Sequence, residues 1–122
     1  MGIKVNLTLF SLLTLVFSSV SVAQENKSLK NALENFTLSY CLAHSGLGET
    51  LQQEANAAVG AYVERGLYSA DAYGEAADVA KRYLEKTYNS KDTNVDLTVM
   101  KCIDAAQSKE IDEIKNRYSD NH

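Results

Sequence analysis

The stretch that decides the fold is SADAYGEAADVAKRYLEKTY, residues 69–88. Its apolar side chains recur every three or four residues, which is the spacing of one face of a helix. Ser69 is a favourable N-cap residue, and Tyr68 and Tyr73 occupy the two positions of a hydrophobic staple around it. The stretch therefore predicts a helix from residue 69 to about residue 88. Its apolar face consists of Tyr73, Ala76, Ala77, Ala80, Tyr83 and Leu84.

Helical spacing continues on the amino-terminal side of this stretch. It predicts a helix over about residues 28–44, followed by Gly46 in the left-handed conformation that often ends a helix. A second helix is predicted over about residues 49–65, where Gly66 stops it. On the carboxy-terminal side, residues 89–94 are all polar and predict a loop.

The last third of the chain predicts one or two further helices. Thr93 and Asp96 have the spacing of a capping box that opens a fourth helix, and two apolar rows on this helix place it at the centre of the core. A final apolar stripe either follows a break near Ser108 or continues the same helix. The two rows are Val95, Val99, Cys102 and Ala106, and Met100 with Ile103; the final stripe is Ile111, Ile114 and Tyr118.

The sequence predicts an all-α domain, a compact bundle of four to five short helices. No segment keeps the alternation of apolar and polar residues that a half-buried strand requires. Proline is absent and alanine is dense between residues 55 and 80, and both features favour helix. The tyrosines within apolar stripes are predicted core residues: Tyr40, Tyr62, Tyr73 and Tyr83.

Residues 1–23 have the features of a cleaved secretory signal peptide. Lys4 is the only charged residue before residue 25, an apolar run covers residues 7–20, and Ser21 and Ala23 fit a signal-peptidase site. A retained membrane anchor is the less favoured alternative, because the run is short for a span of about 20 apolar residues. We expect residues 24–122 to form one soluble domain in the periplasm.

The charge of the chain limits its partners. It has 12 Lys and Arg residues and 16 Asp and Glu residues, so its net charge is −4. Removal of Lys4 with the signal peptide would make the net charge −5. An acidic domain is a poor match for nucleic acid or for an anionic membrane, and it favours a basic protein surface. One domain of this size holds one modest core.

Cys41 and Cys102 are the only two cysteines. In an oxidising compartment two thiols in a small domain predict one disulfide, which would staple the bundle. The alternative is that Cys41 is a nucleophile with His44 one turn later. The sequence favours the disulfide over that reading.

No other group of residues predicts catalysis or a cofactor. Neither His44 nor the terminal His122 has a partner at metal-ligand spacing, and the carboxylates are dispersed along helix surfaces. There is no glycine-rich phosphate loop and no Cys-x-x-Cys-His haem motif. We therefore expect no catalytic site, no bound metal and no cofactor.

Seven segments in fixed order resemble the immunity proteins of the type VI secretion system that neutralise the fourth family of peptidoglycan amidase effectors. The resemblance covers nearly the whole mature chain, and it depends on the order and spacing of the segments together. The segments are YCLA (40–43), ANAAVGAYVERG (55–66), AYGEA (72–76), YL (83–84), YNSK (88–91), MKCID (100–104) and SKEI (108–111).

This resemblance implies a periplasmic, helical, usually dimeric protein that binds and blocks a papain-like amidase, which cuts the D-glutamyl-diaminopimelate bond of the cell wall. It also implies that Cys41 and Cys102 match the family's cysteine pair. An inhibitor needs a protruding element, and the polar loop is our candidate for contact with the effector: Tyr88, Asn89, Ser90, Lys91, Asp92 and Thr93. The alternative, which the sequence favours at least equally, is that this loop is only a solvated connector between two helices. The alternative function is a small periplasmic chaperone of the acid-stress type.

Overall fold

A computed structural model describes residue 2 and residues 31–119, apart from residues 67 and 93. The described chain is helical and contains no strand, which confirms the all-α prediction. Apart from residue 2, the predicted signal peptide lies outside the described residues, as do the first residues of the predicted first helix, Thr93 and His122. The helices are α1 (Ala32–Ala43), α2 (Glu49–Arg65), α3 (Ala70–Leu84), α4 (Thr98–Ala106) and α5 (Lys109–Ser119).

The ends of α1 and α2 and the start of α3 lie where local sequence signals predict them. Gly46 has a φ of 71°, the left-handed conformation expected after α1, and α2 ends at Gly66. The backbone N–H of Ala72 donates to the Ser69 side chain over 3.4 Å, so Ser69 caps α3. The Tyr68 and Tyr73 rings meet edge to face at 6.3 Å, as the staple predicted.

Two predicted boundaries are wrong. Helix α3 ends at Leu84 rather than near residue 88, and residues 85–92 and 94–97 have no regular secondary structure. Helix α4 begins at Thr98, and its N-cap residue Leu97 offers no side-chain oxygen, so no capping box opens this helix at residue 93. The loop between α3 and α4 is therefore longer at both ends than the polar segment alone predicted.

The helix is interrupted between α4 and α5. The final apolar stripe therefore lies on a separate helix and does not continue α4. The Ser108 hydroxyl donates to the carbonyl of Ala105 over 2.7 Å, and the N–H of Ile111 donates back to the same hydroxyl oxygen over 3.4 Å. Ser108 thus closes one helix and opens the next. The stripe on α5 turns inward, since Ile111 and Ile114 are buried.

Helix α1 is the centre of the bundle, because it packs against all four other helices. Its Leu33 and Phe36 meet Tyr73 and Val79 of α3 and Ile111 of α5 in the main core cluster. The other predicted core tyrosines lie at the edge of this cluster, partly buried: Tyr40, Tyr62 and Tyr83. No helix among the described residues is long and apolar enough to cross a membrane.

The predicted disulfide is present and joins α1 to α4. Cys41 and Cys102 have no exposed surface, and their Cα atoms are 5.4 Å apart across 61 residues of sequence. This pairing confirms the structural reading of Cys41 and excludes the nucleophile reading, because a disulfide sulfur is not a free thiolate. It also fixes the position of α4 against the central helix.

Candidate protein-binding surface

Helix α4 carries an exposed apolar face. Val99 is 51% exposed, Met100 49% and Ile103 40%, and Val95 in the preceding loop is 50% exposed. We call these four residues the apolar face. Single exposed apolar residues are ordinary, but several large ones on one short helix and its lead-in form a patch of the kind found at protein-binding surfaces.

The prediction that both apolar rows lie in the core is correct for Cys102 and Ala106 and wrong for Val95, Val99, Met100 and Ile103, which are exposed. The buried side of this helix also carries Thr98, Lys101 and Ala105. Successive residues of a helix are about 100° apart, so once Cys102 faces Cys41, the neighbours that share its side include Thr98 and Ala105. Ile103 and Met100 lie farther around the helix, at about 100° and about 160° from Cys102, and reach solvent. Val99, in the first turn, is exposed although it lies nearer to the buried side.

Lys101 is buried because its charge is neutralised nearby. Its side chain is only 7% exposed, and its ammonium lies 2.9 Å from a carboxylate oxygen of Asp96. The Thr98 hydroxyl donates to the other Asp96 oxygen over 3.0 Å. The hydrogen bond from Lys101 holds the pKa of Asp96 below its ordinary value. A lysine stem thus covers core residues while the apolar side chains of the same helix remain outside.

An open groove lies beside the apolar face at Ile103. Its volume is about 400 Å³, and Leu38 of α1 and Ala106 of α4 contribute the rest of its apolar lining. The polar lining includes the amide side chains of Asn35 and Gln107. The apolar face therefore continues into a concave surface between α4 and the central helix.

The loop before α4 is folded onto itself by short-range hydrogen bonds. The N–H of Asp92 donates to the Ser90 hydroxyl over 3.1 Å, and the N–H of Asn94 donates to the Asp92 carboxylate over 3.0 Å. The N–H of Val95 then donates to the carbonyl of Asp92 over 3.1 Å. Side chains of Ser and Asp commonly form such turns. Asn89, Lys91 and Asp92 remain exposed on this loop.

Tyr88 connects the start of the loop to α4. Its hydroxyl donates to a carboxylate oxygen of Asp104 over 2.6 Å, across 16 residues of sequence. This hydrogen bond raises the pKa of Tyr88 to about 12. No short sequence pattern predicts such a contact, because it depends on how the loop returns to the helix.

The described residues form no metal site, and their histidine and paired carboxylates have partners within the fold. No three His, Cys, Asp or Glu side chains in that part of the chain are placed to hold a metal ion. The His44 ring stacks on Tyr40 at 4.2 Å, and its Nδ1 lies 2.8 Å from the Tyr40 carbonyl oxygen. Glu75 accepts hydrogen bonds from Arg117 and Tyr118, which ties α3 to α5. The side chains of His44 and Glu75 therefore make contacts within the fold.

Comparison with known proteins gives two matches and one negative result. The sequence profile of the family described as "Type VI secretion system (T6SS), amidase immunity protein", Tai4, matches residues 31–115. A solved structure of the effector–immunity system Tae4/Tai4 from Salmonella typhimurium, a selenomethionine variant, is 33% identical in sequence with a TM-score of 0.68. The match covers 76% of this chain and 92% of the Salmonella chain. No curated protein matches the sequence.

Proposed function

The chain belongs to the type VI secretion amidase immunity family, and we propose that it binds a cell-wall amidase in the periplasm and blocks its active-site cleft. An immunity protein is an inhibitor, so the expectation that this chain is not an enzyme is confirmed by its family. The solved effector–immunity pair supports an amidase as the partner. Family membership also favours immunity over the acid-stress chaperone alternative.

The apolar face of α4 is the observation that carries this proposal. An inhibitor without chemistry of its own acts by covering a surface, and a stable interface needs about 800 Å² from each partner. Such interfaces have an apolar centre within a polar rim. The apolar face supplies that centre, and the exposed polar loop residues supply one side of the rim: Asn89, Lys91 and Asp92.

The exposed apolar residues of two helices make a matched test. Ile103→Asp places a charge in the proposed centre, whereas Val63→Asp places the same charge at a 44% exposed valine on α2. We expect Ile103→Asp to weaken amidase binding by about a hundredfold or more, as at an interface centre, with little change in melting temperature. Val63→Asp should leave the affinity of each protomer for the amidase unchanged, because the homodimer proposed below uses α2 whereas the amidase uses α4. Equal affinities for both variants and the unaltered protein would remove α4 from the interface.

The contribution of the loop is tested separately with Lys91→Glu. Lys91 is exposed, so its substitution alters the rim without disturbing the core. Asp92 is less suitable, because its carboxylate holds the turn at Asn94. We expect a severalfold loss of inhibition and a changed salt dependence. Unaltered inhibition would show that the loop lies outside the interface.

The proposal includes a homodimer, the assembly that the family resemblance implies. Helix α2 supports it, because α2 packs mainly against α1 and leaves Leu47 and Val63 exposed at its two ends. Sedimentation equilibrium of residues 24–122 over a wide concentration range tests this part. A dimer that Val63→Asp dissociates would place the interface on α2, and a monomer at all concentrations would contradict the proposal.

A further inference from the structure

We propose that Tyr88 is a positioning residue: its hydroxyl latches the amidase-binding loop to α4 through Asp104 and does not itself contact the amidase. This inference deepens the function proposed above and rests on it. It assigns to Tyr88 a different role from the other loop residues. The geometry of the loop gives three reasons.

First, the Tyr88 hydroxyl is already occupied. Its only proton lies in a 2.6 Å hydrogen bond to Asp104, and both side chains are partly buried. A phenol–carboxylate bond of this length is charge-assisted and belongs to the stronger class of hydrogen bonds. A partner that used this hydroxyl as a donor would have to break the bond first.

Second, the far end of the loop is bonded to the same helix. Asp96 accepts hydrogen bonds from Lys101 and Thr98 of α4, so Tyr88 and Asp96 hold the loop on either side of its exposed tip. Between these anchors, the turns at Ser90 and Asp92 define the path of the chain. The loop and α4 therefore form one unit.

Third, the helix that receives both anchors is itself fixed. Cys102 lies between Lys101 and Ile103, and its disulfide to Cys41 joins α4 to the central helix. A loop latched to this helix is ordered before a partner arrives, so binding costs less conformational entropy. Without the latch, the same contacts to the amidase would form at that extra cost.

A double-mutant cycle separates a latch from a direct contact. Tyr88→Phe removes only the hydroxyl, and Asp104→Ala removes the acceptor. If the hydroxyl acts through Asp104, Tyr88→Phe weakens amidase binding about tenfold in the unaltered protein and less than about twofold in the Asp104→Ala background. Equal losses in both backgrounds would show that Tyr88 contacts the amidase directly and would overturn the inference, as would no loss in either.

Tyr118→Phe is a matched control. The Tyr118 hydroxyl also donates to a carboxylate, that of Glu75 at 2.8 Å, but this bond joins α3 to α5 and lies outside the proposed surface. Tyr118→Phe should therefore remove one bond of the same kind without changing amidase affinity. An equal loss of affinity in both variants would mean that any such bond matters only through general stability, and the latch would be rejected.

Hydrogen exchange of the free protein tests the latch without the amidase. The amides of Asn94 and Val95 are hydrogen-bonded within the loop, and we expect Tyr88→Phe to speed their exchange several-fold while Tyr118→Phe does not. Unchanged exchange in Tyr88→Phe would refute the latch even if the amidase binds. If the unaltered protein binds no amidase, the proposed function fails, and the exchange result still decides whether the latch exists.

Discussion

Breaking the Cys41–Cys102 disulfide should lower the free energy of unfolding by about 4 kcal/mol. This value follows from the length of chain that the disulfide closes into a loop and from the burial of its sulfurs. The two cysteines are 61 residues apart in sequence, and closing a loop of that length removes a corresponding amount of conformational entropy from the unfolded chain. The two sulfurs are also fully buried, so replacing both with alanine adds a smaller loss of packing.

A loss of this size is large for a domain of this length. Typical unfolding free energies are about 5 to 15 kcal/mol, and about 4 kcal/mol corresponds to a fall in melting temperature of roughly 20 °C for a domain of about 90 residues. Helix α4 should be affected most, because the disulfide is its covalent connection to α1. The apolar face would then lose its fixed position as well.

Urea unfolding followed by circular dichroism measures the effect. Three samples are compared: the oxidised protein, the protein reduced with its thiols blocked, and the Cys41→Ala/Cys102→Ala variant. The reduced and alanine forms should both unfold at lower urea concentration, the alanine form slightly lower still. A loss below about 1 kcal/mol in both forms would refute the reasoning, because the cross-link would then not constrain the unfolded chain.

Three further predictions concern single residues. Gly66→Ala should destabilise the protein by about 2 kcal/mol in urea unfolding, because an added Cβ would overlap the Tyr73 hydroxyl and lie 2.6 Å from the backbone carbonyl oxygen of Tyr62; an unchanged midpoint would contradict this. Gly74→Ala should stabilise it by about 0.5 to 1 kcal/mol, since this glycine lies within α3 and a Cβ there meets nothing; a lower melting temperature would be the opposite result. The pKa of Asp96 is lowered by its bond from Lys101, so the pair stabilises the fold above the ordinary value of 3.8 and this contribution is lost as the pH falls through the lowered pKa. The melting temperatures of the unaltered protein and Asp96→Asn should therefore converge in acid, and a constant difference down to about pH 2 would show that the pair contributes nothing.

Local signals in the sequence predict the helices where their caps are local. Ser69 caps α3 through a residue three positions away, and α2 stops at the glycine that the sequence marks as its end, Gly66. The disulfide was predictable because only two cysteines exist. The end of α3 could not be predicted in this way. Tyr88 lies beyond the helix and donates a hydrogen bond to Asp104, a residue that only the folded chain brings near.

The apolar face could not be assigned from composition. Periodicity counts Val99, Met100 and Ile103 as core residues, since it records spacing and hydrophobicity but not which side of a helix faces inward. The buried Lys101 reverses the expected pattern, and its compensation by Asp96 depends on the fold of the loop. Local rules of burial tend to fail at functional surfaces, and here the failure lies on the proposed binding face.

The most direct test of the central claim is a titration of amidase activity on purified muropeptides with residues 24–122 of this protein. The amidase is the family-four enzyme encoded nearest to the gene. Immunity predicts that activity falls in proportion to added protein and reaches zero near one binding site per enzyme, with the complex visible by gel filtration. Full activity at tenfold excess, with no complex, would contradict the account.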